Sequence, residues 1–437
     1  MLRFKGILLV AGFVLPAVAV RAGGLRPPAA VALIVFGAAV VAASFLLAWA
    51  AEAAQLDISG GLAIALLALI AVLPEYAVDL YFAFTAGRDP TYTGYATANM
   101  TGSNRLLMGL GWPLVVLLGL MVARRGGNPA RRNLGRGDLR PGHLRPGDLG
   151  LDNLRRGDPG RVLPLAPGIR VELGFLLVAG VVAFVAPVTA SISMPLALVL
   201  LGWFGYYLYR VSRQAATEPH LIGTAAALGE LPARVRRPVV VAMFAGAAVV
   251  VLLCAEPFAH SLIATGAQLG VDEFLLVQWL APLASEAPEF IVAILFATRG
   301  NAQDAIGTLI SSKVNQWTLL VGSLPVAYWL GGGGAAGLPL DGRQVEELLL
   351  TATQTVLGVA ILLTLRFPRW GAWTLLGLFA VQFAVTGTTG RLLLCAGYGL
   401  IALALLIRHR RQVGPTLRAP FLAPAVESPR PVALSRR

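Results

Sequence analysis

Two stretches of this chain place a glutamate in the middle of a membrane-length apolar run, and the stretches resemble each other. The first reads AVLPEYAVDLYFAFTAGRDP from Ala71 and continues, after a short break, as YATANMTGSNRLLMGLGWP from Tyr95. The second reads APLASEAPEFIVAILFATRGN from Ala281 and continues as DAIGTLISSKVNQWTLLVGSLP from Asp304. Each sets a Pro-Glu pair at mid-span, Pro74–Glu75 and Pro288–Glu289, with a Ser- and Asn-bearing stretch about 25 residues on. A carboxylate at bilayer depth is costly and marks a functional site by default. A duplicated one, on helices that proline weakens, points to a carrier whose binding site lies between two repeats.

Composition agrees with a chain made mostly of membrane spans. Of 437 residues, 57% are hydrophobic and 13% charged, against about 25% charged in a soluble domain. Cys254 and Cys395 both sit in apolar runs, which excludes a disulfide framework and a cysteine metal cluster. His143, His220, His260 and His409 are too scattered for a zinc site. The formal net charge of +13 does not imply nucleic acid, because the arginines fall in loops and tails between apolar runs. Arg3 and Lys5 precede an apolar run as in a signal peptide, but no clear small-residue cleavage site follows, so this is expected to be a retained first helix.

About twelve apolar runs are long enough to span: 5–20, 29–51, 60–86, 94–123, 170–187, 191–209, 238–256, 272–298, 303–330, 346–366, 370–386 and 391–407. They are continuous rather than alternating, which predicts helices and not a barrel. Arginines crowd the 124–169 and 210–237 loops and the tail from Arg408. With both termini cytoplasmic, all three fall inside an inner membrane. The 257–271 stretch lacks Lys and Arg and is expected as an outside loop, whereas Arg21 and Arg26 go against the rule. In this topology the two Pro-Glu segments cross the membrane in opposite senses, as an inverted repeat requires.

The expected organisation is then an extra helix in 1–28, the first part of repeat one in 29–123, and a cytoplasmic loop in 124–169. The rest of repeat one and a linker occupy 170–237, repeat two 238–390, and an extra helix with a basic tail 391–437. The 124–169 loop repeats Asn133-Leu, Asp138-Leu, His143-Leu, Asp148-Leu and Asn153-Leu at period five, and could form a short β-helical coil. Its prolines and glycines favour a disordered linker. Its charge could hold it against anionic lipid.

Residues 71–113 and 281–325, about a fifth of the chain, resemble the α-repeats of the sodium/calcium exchanger (cation/calcium antiporter) superfamily. Ala287-Pro288-Glu289 followed by Ile306-Gly307-Thr308 through Ser311-Ser312 is the nearer match. The resemblance implies an all-α integral membrane protein with an inverted-repeat exchanger core of five plus five helices and about two extra transmembrane helices. It further implies that Glu75 and Glu289 are the main metal-ion ligands, and the candidate ion-binding set is completed by Glu286, Ser103, Asn104, Ser285, Ser312, Asn315 and Gln316. The chemistry is sound independently, since Ca2+ and Na+ are hard ions that take oxygen ligands. Proline at 74 and 288 also frees the carbonyls of Ile70 and Ala284 toward the site.

The chain departs from that pattern in both copies. Where the family carries small hydroxyl residues three and four before each Glu, the first copy has Val72 and Ala71 and the second has Glu286 and Ser285. Where it carries Asn or Asp four residues after the second-helix Ser, the chain has Leu107 and Gln316. Lys313 is one of two lysines, the other being Lys5, and lies deep in a predicted span. Its expected partners are Glu286 and Glu289, one turn apart. Either it stands in for a bound monovalent cation or it forms a structural bridge. Asp79, one turn after Glu75, shares that site or faces a polar cavity, and Arg105 is a candidate partner for Glu75 or Asp79.

These residues point to a secondary active antiporter exchanging Ca2+ or Na+ by alternating access, with no cofactor and with the lipid bilayer and the transported cations as its partners. A cation/proton exchanger of the same fold fits the missing hydroxyls and the added lysine. An enzyme acting on lipid would need a nucleophile–base pair or metal cluster, and the sequence offers neither Ser-His-Asp nor HExxH. A non-transporting relative is the remaining alternative.

Overall fold

The computed structural model describes residues 5–57, 73–125, 160–213, 221, 223–385 and 387–422. The period-five repeat between 133 and 154, the Ile70 carbonyl and the 60–72 part of the third expected span lie outside the described residues.

The apolar runs are helices. They are α1 (Lys5–Ala22), α2 (Ala29–Ala54), α3 (Leu73–Ala86), α4 (Tyr92–Leu106), α5 (Trp112–Arg125), α6 (Ile169–Val182), α7 (Val185–Thr189) and α8 (Met194–Ser212). After the short α9 (Gly223–Gly229) come α10 (Ala233–Leu269), α11 (Glu273–Thr298), α12 (Ala302–Asn315), α13 (Val321–Leu330), α14 (Gly342–Leu362), α15 (Arg369–Ala384), α16 (Thr388–Arg408) and α17 (Arg410–Arg418). Among the described residues, eight helical segments are long and apolar enough to cross a bilayer. Leu252, Ile34, Leu393 and Leu400 stand exposed on outer faces while Asp79, Ser103 and Lys313 are fully buried, an arrangement that suits lipid outside and polar groups inside. The protein is a multi-pass helical membrane protein.

The inverted repeat is written in its smallest elements. Strand β1 (Val162–Pro164) precedes α6, and β2 (Ser191–Ser193) follows α7. Strand β3 (Gly337–Pro339) precedes α14, and β4 (Arg366–Pro368) follows it. β1 pairs with β4 through Leu163↔Phe367, and β2 pairs with β3 through Ile192↔Leu338, both antiparallel. Exchanging the two halves turns one pairing into the other with the same register, which is the behaviour of a two-fold related pair. The Ser-bearing helices agree: α4 passes into α5 through a π-helical turn, Leu107–Gly111, and α12 passes into α13 through another, Gln316–Leu320. Each turn starts four residues after its serine, Ser103 or Ser312, and such bulges concentrate at functional sites. The two strand pairings and the two π-helical turns mark two helical halves related as an inverted repeat.

Two expectations change. Residues 257–269, expected in an outside loop, continue α10 as a 37-residue helix with Pro257 inside it. The helix stops only at Gly270, whose φ of 65° gives the left-handed cap that side chains with a Cβ resist. The 170–187 span is broken, since α6 ends at Val182 and α7 begins at Val185.

Helices α4 and α11 cross at Gly102. A Cβ there would lie 1.7 Å from the Gln278 carbonyl oxygen, so the absent side chain sets the approach of the two helices. α11 itself starts at Asp272, whose side chain accepts from the Phe274 N–H at 2.9 Å.

Candidate cation site

Glu75 sits in the first turn of α3, Glu286 and Glu289 on α11, Ser103 near the end of α4, and Gln316 at the start of the second π-turn. The structure brings them together from both repeats. Ser103 Oγ lies 2.5 Å from Glu75 Oε1 and also contacts Glu286 Oε1. Gln316 Nε2 donates to Glu286 Oε1 at 2.6 Å and to Glu75 Oε1 at 3.1 Å. Glu75, Glu286, Ser103 and Gln316 are all buried. Ser103 has one proton to donate, so two carboxylates on the same hydroxyl require a shared proton or a cation between them. Glu286 Oε2 and Gln316 Oε1 are buried without a hydrogen-bond partner, which leaves oxygen acceptors free toward an ion.

A cavity of about 40 Å³ opens beside this cluster, lined by Ser44 on α2, by Pro74 and Glu75, and by Ser285, Glu286, Pro288 and Glu289. It is large enough for an ion or a water. Glu289 is partly buried and interacts with the Ser312 hydroxyl. Ser285 lines the cavity while its Oγ donates back to the Ala281 carbonyl at 3.2 Å.

Other expected residues stand further off. The Asn104 side chain donates to the Met100 carbonyl at 3.0 Å, and Asn315 accepts from the Tyr76 hydroxyl at 3.1 Å. Asp79 is fully buried, has no hydrogen-bond partner among the described residues, and lies beside Asn99 rather than on the cavity. Lys313 forms no ion pair with Glu286 or Glu289: its Nζ donates to the Asn104 carbonyl, with the Trp317 ring centroid 5.8 Å away. Arg105 does not pair with Glu75 or Asp79 either. It forms a buried ion pair with Glu347 on α14, which also binds Arg391 of α16. Gln278 of α11 donates to Glu347 Oε2 at 3.0 Å, Gln382 of α15 accepts from Arg105 NH1 at 3.0 Å, and the Arg105 guanidinium lies 5.0 Å from the Trp279 ring centroid.

Sequence reasoning passed over Ser44 and this second cluster. The signal for the cluster was a polar stripe on one face of α14, Glu347, Thr351 and Thr355 at four-residue spacing inside an apolar run.

The chain and its fold are matched by known proteins. The sodium/calcium exchanger protein family model matches residues 28–213 and 239–387, so both repeats are covered. The chain belongs to that family. Among solved structures it is similar to the H+/Ca2+ exchanger CAX, with 38% identity, 96% of this chain and 97% of that chain covered, and a TM-score of 0.84. Native YfkE shares the fold at 17% identity, with 90% and 99% covered and a TM-score of 0.57. The sodium-calcium exchanger NCX_Mj shares it at 16% identity, with 82% and 99% covered and a TM-score of 0.50. A search of curated proteins finds no match.

Proposed function

We propose that this secondary active antiporter exchanges Ca2+ for protons, with Glu75, Glu286 and Glu289 holding the two cargoes in turn. The observation that carries the reading is the meeting of Glu75 and Glu286, from opposite repeats, on the single hydroxyl of Ser103. Carboxylates this close are held apart by their own repulsion unless a cation or protons neutralise them. Calcium supplies one neutral state and protonation the other, and Glu289, Ser44 and Ser285 offer further hard oxygen ligands at the cavity. A carrier with bare carboxylates resists exposing them to the apolar barrier, so it crosses only when loaded, and that restriction couples the two fluxes. The likeness to the H+/Ca2+ exchanger CAX supports protons as the counter-ion.

The orientation has both termini on the cytoplasmic side of an inner membrane. In support, the basic tail docks beside the other arginine-rich ends: Arg170 NH1 donates to Thr416 Oγ1 at 3.1 Å, Tyr206 donates to the Pro420 carbonyl at 2.9 Å, and Arg210 donates to the Leu422 carbonyl.

The test is calcium uptake into proteoliposomes under a pH gradient or under a sodium gradient. Uptake driven by the pH gradient in sodium-free buffer supports the proposal. Uptake that only a sodium gradient drives overturns it in favour of sodium-coupled exchange, which the family also contains by name.

A further inference from the structure

The end of α16 determines where the next helix lies. α16 has 21 residues and is apolar enough to cross a bilayer. At 1.5 Å per residue it spans about 30 Å, the thickness of the hydrocarbon layer. It ends at Arg408, and α17 follows after His409 alone. α17 therefore begins at the height of the lipid headgroups. It is held there across the ends of two other spans. Arg170 of α6 donates to Thr416 Oγ1 at 3.1 Å, and Tyr206 of α8 donates to the Pro420 carbonyl at 2.9 Å. The Phe421 ring centroid lies 5.8 Å from that of Trp203 and 5.9 Å from that of Tyr206. Gly174 of α6 permits the approach, since a Cβ there would collide with the Thr416 carbonyl oxygen.

The buried side of this segment consists of Thr416, Ala419 and Pro420. The outward side carries two kinds of group. Arg410, Arg411 and Arg418 are exposed, and none of them is in an ion pair among the described residues. Leu417, Phe421 and Leu422 are 38%, 62% and 59% exposed beside them. No Asp or Glu occurs from Thr388 to Leu422, so nothing on α16 or α17 offsets the arginines. Trp370 and Trp373, half-exposed at the start of α15, stand at the same end, where β1 and β4 pair ahead of α6. Exposed tryptophans of this kind mark a membrane–water interface.

We propose that α17 is a binding site for anionic phospholipid. Arg410, Arg411 and Arg418 hold the headgroup phosphates, and Leu417, Phe421 and Leu422 enter the acyl-chain boundary. A free phosphate ion would use the arginines but leave the apolar side chains uncovered, so the occupant is a lipid. This binding does not depend on which ions the transport site carries.

The experiment is equilibrium binding of radiolabelled phosphatidylglycerol and phosphatidylcholine to the purified, delipidated full chain in neutral detergent. Inorganic phosphate serves as a competitor. Wild type is expected to bind phosphatidylglycerol about tenfold or more tightly than phosphatidylcholine, and less tightly as salt is raised. Arg410→Gln/Arg411→Gln/Arg418→Gln is expected to lose about tenfold or more of that affinity. Arg410→Lys/Arg411→Lys/Arg418→Lys, which keeps the charge, is expected to retain most of it. Equal affinity of wild type for the two lipids overturns the proposal. So does a Gln variant that binds phosphatidylglycerol like wild type, or a Lys variant as weak as the Gln variant. Displacement of the lipid by an equal concentration of inorganic phosphate overturns it as well. If the triple Gln variant does not yield monodisperse protein, Arg411→Gln and Arg418→Gln decide singly. Each is expected to lose about threefold, and wild-type affinity in both overturns the proposal.

Discussion

Ser103 of the first repeat holds Glu75 of its own repeat at 2.5 Å and meets Glu286 of the second repeat through the same oxygen. The hydroxyl is the point where the two halves of the molecule share chemistry. Removing it should weaken calcium binding while leaving the fold in place. A hydrogen bond to a charged group contributes about 1.5–3 kcal/mol, so Ser103→Ala should lose about 10- to 100-fold in calcium affinity. Ser103→Thr, which keeps the hydroxyl, should lose less. Calcium titration of the two variants checks this.

Glu347 is the only carboxylate, among the described residues, that pairs with both Arg105 and Arg391. Glu347→Gln leaves the buried Arg105 guanidinium without a counter-charge, which costs about 3–5 kcal/mol. The melting temperature in detergent should fall sharply. Arg391→Met should cost less, because the Arg391 side chain is 13% exposed and water takes part of its charge. Equal melting temperatures for wild type and Glu347→Gln would contradict this account of the cluster.

Gly102 leaves room for the Gln278 backbone, and an added methyl has nowhere to go. Gly102→Ala should push α4 away from α11 and part Ser103 from Glu286. Overpacking of this kind costs about 1–3 kcal/mol or more. The variant should show reduced thermal stability and a calcium affinity lowered along with it, whereas Gly246→Ala on α10, where nothing lies within 4 Å, should match wild type in both.

Asp57, just past the end of α2, receives Arg236 Nε at 2.7 Å and Arg237 Nε at 3.1 Å from the start of α10. The hydrogen bond from Arg236, assisted by Arg237, holds its carboxyl down to about 2, below the ordinary value of about 3.9. A depressed carboxyl stabilises the folded state above its unfolded value and loses that contribution as pH falls toward the folded one. The stability difference between wild type and Asp57→Asn should therefore be full at neutral pH and shrink between about pH 4 and about pH 2. Thermal melts across that range test it. A difference that persisted at pH 2 would rule the ion pair out as its source.

Much of this was legible from residues alone. Apolar runs of span length announce helices, because no other single-segment structure satisfies its backbone in lipid. The duplicated Pro-Glu and Ser segments placed Glu75, Glu286, Glu289, Ser103 and Gln316 in one candidate site, and the structure brings them together. The partner of Lys313 was not legible, because a backbone carbonyl has no sequence signature and any residue at 104 could have supplied it. Arg105 was assigned to the nearest carboxylates along the sequence, but its partner is Glu347, 242 positions on, which only the packing of α4 against α14 reveals. Pro257 looked like the end of a span, yet α10 carries it in its interior because the residues on both sides remain helix-forming.

The central claim is that the clustered carboxylates of the two repeats exchange calcium for protons. The most direct measurement follows both ions at once in proteoliposomes, with a calcium indicator and a pH indicator inside, for wild type, Glu75→Gln and Glu289→Gln. The account predicts that calcium entry in wild type is matched by proton exit, and that both movements disappear together in each variant. Calcium entry without proton movement in wild type, or coupled exchange surviving in Glu75→Gln, would contradict it.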